Sequence, residues 1–326
     1  MKVLVATAIY PTLENPAFGA FVRTQVDSLR RAGLDLDVLV LRGRPRKMIY
    51  AKGIVQLHRR LATEPISLVH AHYGYVGMVA RTQWTVPVVV TYHGDDLLGT
   101  VGPDGKIRKL SRWIAAAGGL LARTVDAVIV QSEQMASKID HPNVHIIPHE
   151  VDLQTFQPMP QQQARELLGL DPTRKYLLFA ANPRIPVKRF PLAHAVAQRL
   201  ASRDSRVELL VVHRETQQRL ALYMNACDAL VFPSYQEGSP NIVKQAMACN
   251  LPIVATDVGD VRKIIGSTDA CMISEPEVEA FAEAASSLLV RSERTSGRQQ
   301  VMHLDGAKVA RQVIDVYDSC FRRREH

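Results

Sequence analysis

The sequence has little of what marks several common classes of protein. It holds four cysteines in 326 residues, far apart and without a C-x-x-C pair, which suits reduced thiols in a cytosol rather than a disulfide framework. No apolar run can span a bilayer, since the most apolar helical run, 114–122, is short and contains a pair of glycines. The apolar run at the start is too short for a signal peptide. We therefore expect a cytoplasmic protein.

Cofactor patterns are missing as well. The first apolar run, 3–9, is not followed by G-x-G-x-x-G, which argues against a dinucleotide-dependent dehydrogenase. His70 and His72 lie two apart on one strand, without an acidic residue or cysteine at ligand spacing. Prolines interrupt the spacing of the histidines at 141, 145 and 149. The sequence therefore predicts neither a metal site nor a resident cofactor.

Basic residues are in moderate excess. Lysine and arginine number 40 against 32 acidic residues, a net charge of +8. This excess suits phosphate-bearing ligands or an anionic membrane, and does not by itself indicate nucleic acid, which we do not expect as a partner. Seven of the basic residues lie close together in the first part of the chain: Arg42, Arg44, Arg46, Lys47, Lys52, Arg59 and Arg60.

A helix beginning near Met48 would be cationic and amphipathic. Such a helix fits either peripheral contact with an anionic membrane or an ordinary solvated face, and both interpretations stay open. A second basic cluster supports the membrane interpretation: Lys106, Arg108, Lys109 and Arg112, beside Trp113. If the membrane interpretation holds, the protein works at the inner face of a membrane.

Apolar runs alternate with helical patterns along the chain. The run 3–9, a loop that includes Gly19, a helix over 21–32 and a strand over 35–41 form the start of a doubly wound parallel sheet. Later runs predict two further groups of strands: 67–71, 86–92, 125–131 and 143–147, then 175–181, 207–212, 229–232 and 252–255. The composition, 47% hydrophobic over 326 residues, is enough for two such domains. We expect an α/β protein of two doubly wound domains.

The run 232–256 has the most specific pattern. It predicts a strand, a loop, a helix from about Pro240 to Cys249 and a second strand. Ser239 stands where an N-cap is expected, and Asn250 can take the left-handed position after the helix. Glu237 lies just before the helix N-terminus, whose unpaired N–H groups bind phosphates or sugar oxygens in many proteins.

This run, E-G-S-P-N-x-x-K-x-A-M-A-C-N-x-P-x-V, resembles the signature of the retaining family-4 glycosyltransferases, enzymes of the GT-B fold. The resemblance covers nearly the whole chain. It implies two Rossmann-like domains that face a cleft: an acceptor-side domain over 1–157 and a nucleotide-sugar domain over 158–305. A final helix over 306–326 would cross back onto the first domain.

The resemblance also implies residues that act on the donor. His93, at the end of the strand before Gly94, would be catalytic and contact the donor sugar. Gly19 would let the backbone approach the donor phosphates. Lys188 fits the lysine that holds the donor diphosphate, and Arg184 lies two positions from the usual arginine. Two such cations would stabilise the charge of the leaving nucleoside diphosphate.

Glu237 matches the first of the family's two glutamates and would be the second catalytic residue. It would bind donor-sugar hydroxyls together with the N–H groups of Gly238, Ser239 and Asn241. The second glutamate, eight positions later, binds the ribose, and this chain has Gln245 there. Gln245 lacks the charge, so we expect it to bind the nucleotide more weakly than a glutamate would.

The function implied is transfer of a hexose from a nucleotide-diphosphate sugar to a hydroxyl acceptor, without a metal. The acceptor would be a growing polysaccharide or a lipid-linked saccharide. Two alternatives remain. Gln245, and Glu150 where the family has glycine, fit a weakly active or inactive GT-B binding or scaffold protein. A GT-B sugar-nucleotide epimerase would instead form product from the donor alone.

Overall fold

The computed structural model describes residues 1–43, 48–291 and 293–323. Three residues of the first predicted basic cluster, Arg44, Arg46 and Lys47, therefore lie outside the described residues. The described chain folds into two parallel sheets with helices on both faces of each, which confirms the predicted α/β class and GT-B architecture.

The first sheet contains six strands within the described residues, in the order β2-β1-β3-β4-β5-β6. Their bounds are β1 Lys2–Thr7, β2 Asp35–Val40, β3 Leu68–His72, β4 Val88–Thr91, β5 Ala127–Val130 and β6 Val144–Ile146. The helices between and after them are α1 Ala20–Arg31, α2 Ile49–Thr63, α3 Gly74–Ala80, α4 Asp95–Leu98, α5 Lys109–Ala122 and α6 Glu133–Ala136. Strands β3, β4 and β5 are buried along their whole length, because helices cover both faces of the sheet.

The second sheet has five strands in the described chain, in the order β11-β10-β9-β7-β8. Its elements begin with α7 Gln161–Leu168, β7 Lys175–Phe179, α8 Phe190–Ala201, β8 Val207–Val211 and α9 Gln217–Ala226. They continue with β9 Ala229–Phe232, α10 Asn241–Ala248, β10 Ile253–Ala255, α11 Val261–Ile265, β11 Cys271–Ile273, α12 Val278–Arg291 and α13 Arg298–Val301. Short 3-10 helices cover Pro186–Lys188 and Met302–Leu304.

The last helix, α14 Gly306–Arg322, returns to the first domain, as expected. Val309, Val313 and Val316 on one of its faces are buried against Val22 and Val26 of α1. Tyr317 of this helix is buried against the first sheet, and its hydroxyl lies 2.7 Å from Nδ1 of His70 in β3. The exact domain limits at 157 and 305 remain a prediction.

The chain passes between the domains twice at one place, which we call the crossing. The N–H of Val151 donates to the carbonyl of Leu304 over 2.9 Å, and Val151 also forms an isolated parallel bridge with Asp305. Glu150 is buried beside it, and its Oε1 accepts a hydrogen bond of 2.5 Å from the hydroxyl of Ser28. Glu150 does not have a positive φ, so this turn differs from one that needs glycine.

The central motif folds nearly as predicted, with one correction. Asn250 has φ 55°, the expected left-handed position. The predicted N-cap was wrong: α10 begins at Asn241, after an extended Pro240, and no side chain caps it. Ser239 lies one residue before the cap position, and its hydroxyl donates to Oδ2 of Asp260 over 2.7 Å.

Candidate active site

A cavity of about 370 Å³ lies where the carboxyl ends of the two sheets face each other. We call it the central cavity. Residues of both domains line it, as expected of a ligand site between α/β domains. Six of the predicted site residues are among them: His93 from the first domain, and Lys188, Glu237, Gly238, Ser239 and Asn241 from the second.

A charged pair dominates the second-domain wall of this cavity. Lys188, at the end of a 3-10 helix, donates to Oε1 of Glu237 over 2.6 Å. Both side chains are mostly buried, with 27% and 15% of their surface exposed. A buried ion pair costs desolvation energy that its own attraction only partly offsets. An anionic ligand beside Lys188 would therefore free Glu237 to accept hydrogen bonds.

Two glycine-containing loops bring the walls together. A Cβ atom added to Gly94 would lie 3.6 Å from the backbone nitrogen of Gly238. One added to Gly238 would lie 2.8 Å from Sδ of Met135 in the first domain. Gly94 has φ 122°, which side chains rarely adopt. The backbone conformation of Gly94 thus requires glycine, and a side chain at Gly238 would have to displace Met135 of the other domain.

Asp96 holds the loop that carries His93. Its Oδ1 accepts hydrogen bonds from the backbone N–H groups of His93, at 3.0 Å, and of Gly94, at 3.1 Å. Its Oδ2 accepts from the N–H of Gly74 over 3.1 Å. Burial raises the pKa of Asp96 to about 6, although these backbone bonds oppose the shift.

The first-domain wall carries three histidines in contact. Nδ1 of His72 lies 3.1 Å from Nε2 of His93, and Nδ1 of His93 lies 2.9 Å from Nε2 of His149. The phenyl ring of Phe21 packs 4.5 Å from the ring of His149, between centroids. Burial, followed by the neighbouring charges, lowers the pKa of each of the three well below its usual 6.5. The three imidazoles are therefore neutral at neutral pH.

Three predicted residues lie outside the central cavity. Arg184 is exposed, and its backbone N–H donates to Oδ1 of Asn182, so its placement does not support the predicted role in holding the diphosphate. Gln245 donates from Nε2 to Oε1 of Gln217 over 2.9 Å. Gly19 has φ 72°, and a Cβ there would lie 2.7 Å from the carbonyl of Ile9, so glycine is required by its own loop.

Two neighbouring cavities extend the site. A side cavity of about 420 Å³ lies between Phe18 of the first domain and Asn182 and Gln217 of the second. A front cavity of about 280 Å³ lies in the first domain and shares Tyr73 and Asp95 with the central cavity. The central cavity thus adjoins both, since it shares Ala180, Ala181 and Ile185 with the side cavity.

Sequence reasoning missed three residues of this site. His149 was considered only as a metal ligand. Asp95 lines two cavities, and burial and the charge of Glu237 raise its pKa; its place after a strand was the available signal. Lys244 of α10 is fully buried, its Nζ lies 3.4 Å from the carbonyl of His149, and burial lowers its pKa to about 8.

The described residues contain no group of three or more acidic, histidine or cysteine side chains arranged to hold a metal ion. Nor does any helix in the described ranges have the length and apolar character needed to cross a membrane.

Comparison with known families matches most of the chain. Residues 13–155 match the family described as Glycosyltransferase Family 4, and residues 175–291 match the family described as Glycosyl transferases group 1. A Bacillus subtilis glycosyltransferase assigned provisionally to teichuronic acid biosynthesis is 26% identical, over 87% of this chain and 88% of its own. A D-inositol 3-phosphate glycosyltransferase of Mycobacterium marinum is 29% identical, over 74% of this chain and 59% of its own.

Solved structures share the fold at low sequence identity. Sucrose-phosphate synthase from Thermosynechococcus elongatus superposes with a TM-score of 0.82 at 19% identity, covering 99% of this chain and 100% of that one. The Anabaena protein HepE, solved in complex with UDP, superposes with a TM-score of 0.71 at 16% identity, covering 98% and 100%. HepE was also solved in complex with UDP-glucose.

Proposed function

Because the chain belongs to the family-4 glycosyltransferases of the GT-B fold, we propose that it transfers a hexose with retention from a nucleotide-diphosphate sugar to a hydroxyl acceptor. One observation carries the proposal: the Lys188–Glu237 pair faces the neutral histidine wall across the central cavity. This arrangement offers a cation for a diphosphate and a carboxylate for sugar hydroxyls in one ligand-sized space.

Donor binding would rearrange the charged pair. The diphosphate would take Lys188 from Glu237, and the released carboxylate would accept hydrogen bonds from the sugar hydroxyls. The residues that precede and begin α10 line the same cavity, and N–H groups at a helix N-terminus have no partners within the helix. Gly238, Ser239 and Asn241 can supply them, whereas Pro240 cannot. The nucleoside would lie in the side cavity, near Gln217 and Gln245.

The acceptor would enter through the front cavity, past Tyr73 and Asp95. Its oxygen forms the new bond to the anomeric carbon as the bond from that carbon to the leaving phosphate breaks. The acceptor proton passes to the leaving phosphate on the same face, which gives retention. The protein then contributes positioning and charge stabilisation, with Lys188 beside the developing phosphate charge.

A screen of sugar nucleotides tests this proposal. A ligand that binds only the folded state raises the melting temperature, so UDP, GDP and ADP sugars are compared first by thermal shift. UDP-glucose and any stabilising donor are then incubated with and without glycan acceptors, and products are analysed by NMR for the anomeric configuration. Transfer with an inverted anomer, an epimer formed from donor alone, or no binding by any nucleotide would each contradict the proposal.

We further propose that the acceptor is lipid-linked and that α5 rests on an anionic membrane at its cytoplasmic face. Leu110, Trp113 and Leu120 are exposed on this helix, with 73%, 77% and 64% of their surface accessible. Exposed basic residues lie beside them: Lys106, Arg108, Lys109 and Arg112. Exposed aromatic and cationic side chains together are typical of interfacial helices.

Liposome flotation tests the membrane contact. We expect binding to vesicles of anionic phospholipid at low salt and loss of binding at high salt, because counterions screen the attraction. Trp113→Ser should reduce binding. Trp84→Ser is the matched control, since Trp84 is also exposed in the first domain but has the Arg81 guanidinium 3.4 Å above its ring. Equal flotation of both variants and the wild type would remove α5 from the contact.

A further inference from the structure

Both ring nitrogens of His93 are occupied by other histidines. Nε2 lies 3.1 Å from Nδ1 of His72, and Nδ1 lies 2.9 Å from Nε2 of His149. The ring planes lie 15° and 7° apart along this series, so each N–H can point at the lone pair of the next ring. Both nitrogens of His93 are thus engaged in this structure, whereas His149, which also lines the central cavity, has its Nδ1 left over.

A chain of neutral imidazoles has a direction. Each ring carries one N–H and one bare nitrogen, so His93 must accept at one end and donate at the other. Two directions are available. Either His72 donates to His93 and His93 donates to His149, or every hydrogen bond is reversed. The burial that lowers the pKa of each ring supports the neutral form that both directions require.

The far end of the chain decides between these directions. Nε2 of His72 is buried and has no hydrogen-bond partner among the described residues. In the reversed direction this atom would carry a buried N–H without an acceptor, which folded proteins rarely tolerate. In the forward direction it is a bare nitrogen, and an unpaired acceptor is the less costly of the two. The forward direction then leaves the proton of His149 on Nδ1.

We propose that His72, His93 and His149 form a directional N–H···N chain, which presents Nδ1–H of His149 to an oxygen of the nucleotide sugar. His149 is then the catalytic imidazole that touches the substrate, while His93 and His72 are positioning residues that fix its tautomer. The oxygen it binds is a sugar hydroxyl or a diphosphate oxygen, both of which accept from an N–H. This role rests on the proposed function, whereas the direction of the chain does not.

Tautomers measured by NMR test the direction without any substrate. Long-range ¹H–¹⁵N spectra of the ¹⁵N-histidine protein distinguish protonated Nδ1 from protonated Nε2, and single His→Asn variants assign the signals. We expect protonated Nδ1 at His72, His93 and His149 near pH 7.5. Protonated Nε2 at His149, or an imidazolium in the chain, would overturn the proposal.

A distant substitution tests the coupling. His72→Asp puts an acceptor-only carboxylate oxygen in place of the donating Nδ1, so His93 should carry its proton on Nε2 and His149 should change from the Nδ1–H to the Nε2–H tautomer. His58→Asn is the matched control, because His58 is exposed and contacts only Thr82 in the described structure. Circular dichroism verifies folding of each variant. An unchanged His149 tautomer in folded His72→Asp would show that the three rings are merely packed together.

Activity then tests the substrate contact. His149→Phe keeps the ring size but has no N–H, and we expect kcat to fall about 10²-fold, as for loss of one well-placed donor. His149→Asn restores an amide N–H and should recover at least a tenth of the wild-type kcat. Equal activity of His149→Phe and wild type would refute the contact. If the wild type turns over no nucleotide sugar, the proposed function is wrong. The NMR measurement then still decides the direction of the chain.

Discussion

The two walls of the central cavity solve the problem of burying polar groups in opposite ways. The first-domain wall holds neutral imidazoles that hydrogen-bond to one another, with His93 between His72 and His149. The second-domain wall holds full charges, Lys188 and Glu237, which neutralise each other at 2.6 Å. A neutral chain keeps its geometry without a ligand, whereas a self-paired ion pair must rearrange before it can bind one.

The comparison indicates which wall changes its structure when the donor binds. We expect the first wall to be preorganised and the second to change on donor binding. Substitutions in the second wall should thus alter catalysis and donor affinity. The buried carboxyl of Glu150, next to His149 of the first wall, should alter stability. Four experiments test this division, beginning with the largest expected effect.

Glu237→Gln should cause the largest loss. It removes the carboxylate that would bind the donor sugar and leaves Lys188 without its partner, so kcat should fall about 10²–10³-fold. Initial rates at saturating donor measure this. Glu275→Gln, an exposed glutamate of the same domain, is the control. A fall of less than tenfold would mean that the charged pair is structural and that the two walls do not differ in this way.

Glu150→Gln should stabilise the protein at neutral and alkaline pH. Burial raises the pKa of Glu150 to about 7, against 4.5 ordinarily, so the folded state holds the proton more tightly. Ionisation of Glu150 therefore lowers the stability of the wild type as pH rises from 4.5 to 7, and the variant lacks this contribution. The difference should be near zero below pH 4.5 and reach about 3 kcal/mol above pH 7.

Urea unfolding at several pH values measures this difference. The histidines of the first wall are present in both proteins, so their contribution to the pH dependence of stability cancels in the difference. Asp140→Asn, an exposed carboxylate in the first domain, should show no such trend. A constant difference between Glu150→Gln and wild type from pH 4 to 8 would show that folding does not raise the pKa of Glu150.

Lys188→Ala should weaken UDP binding by about 10–100-fold, because a hydrogen bond to a charged group contributes about 1.5–3 kcal/mol. Arg184→Ala removes a cation from the same loop, but from an exposed position outside the central cavity, and should change the affinity less than twofold. Isothermal titration with UDP compares the two. Similar losses in both variants would place the diphosphate farther from Lys188 than proposed.

Gln245→Glu should have the smallest effect, and it should be a gain. A carboxylate accepts two hydrogen bonds from a ribose, so UDP should bind about 1–2 kcal/mol more tightly. Gln217 can turn its amide to donate to the new carboxylate, so the present pair need not be lost. Titration of UDP and GDP into both proteins measures the gain. Equal affinities would remove Gln245 from the nucleotide site.

The sequence predicted the fold well because its signals are local. Buried parallel strands such as β4 and β5 read as continuous apolar runs, and prolines and glycines mark their ends. Glu237 and Lys188 were found through a resemblance, and the structure brings them together. Their roles in binding the donor stay predictions.

What the sequence did not predict depends on contacts between distant segments. His149 is 56 positions from His93, and Lys244 reaches the carbonyl of His149 across 95 positions. Periodicity places Lys244 on the polar face of its helix, but the first domain covers that face. Arg184, two positions from the usual arginine of the motif, is exposed and does not line the central cavity.

The crossing has a consequence for the way the cleft opens. The two connecting segments are hydrogen-bonded to each other at Val151 and Leu304, so the domains are joined along a short line rather than at a single flexible point. Two linked connections oppose sliding and leave rotation about that line as the easiest relative motion. The cleft would then widen most at the edge farthest from the crossing, while the order of residues along its two walls stays unchanged.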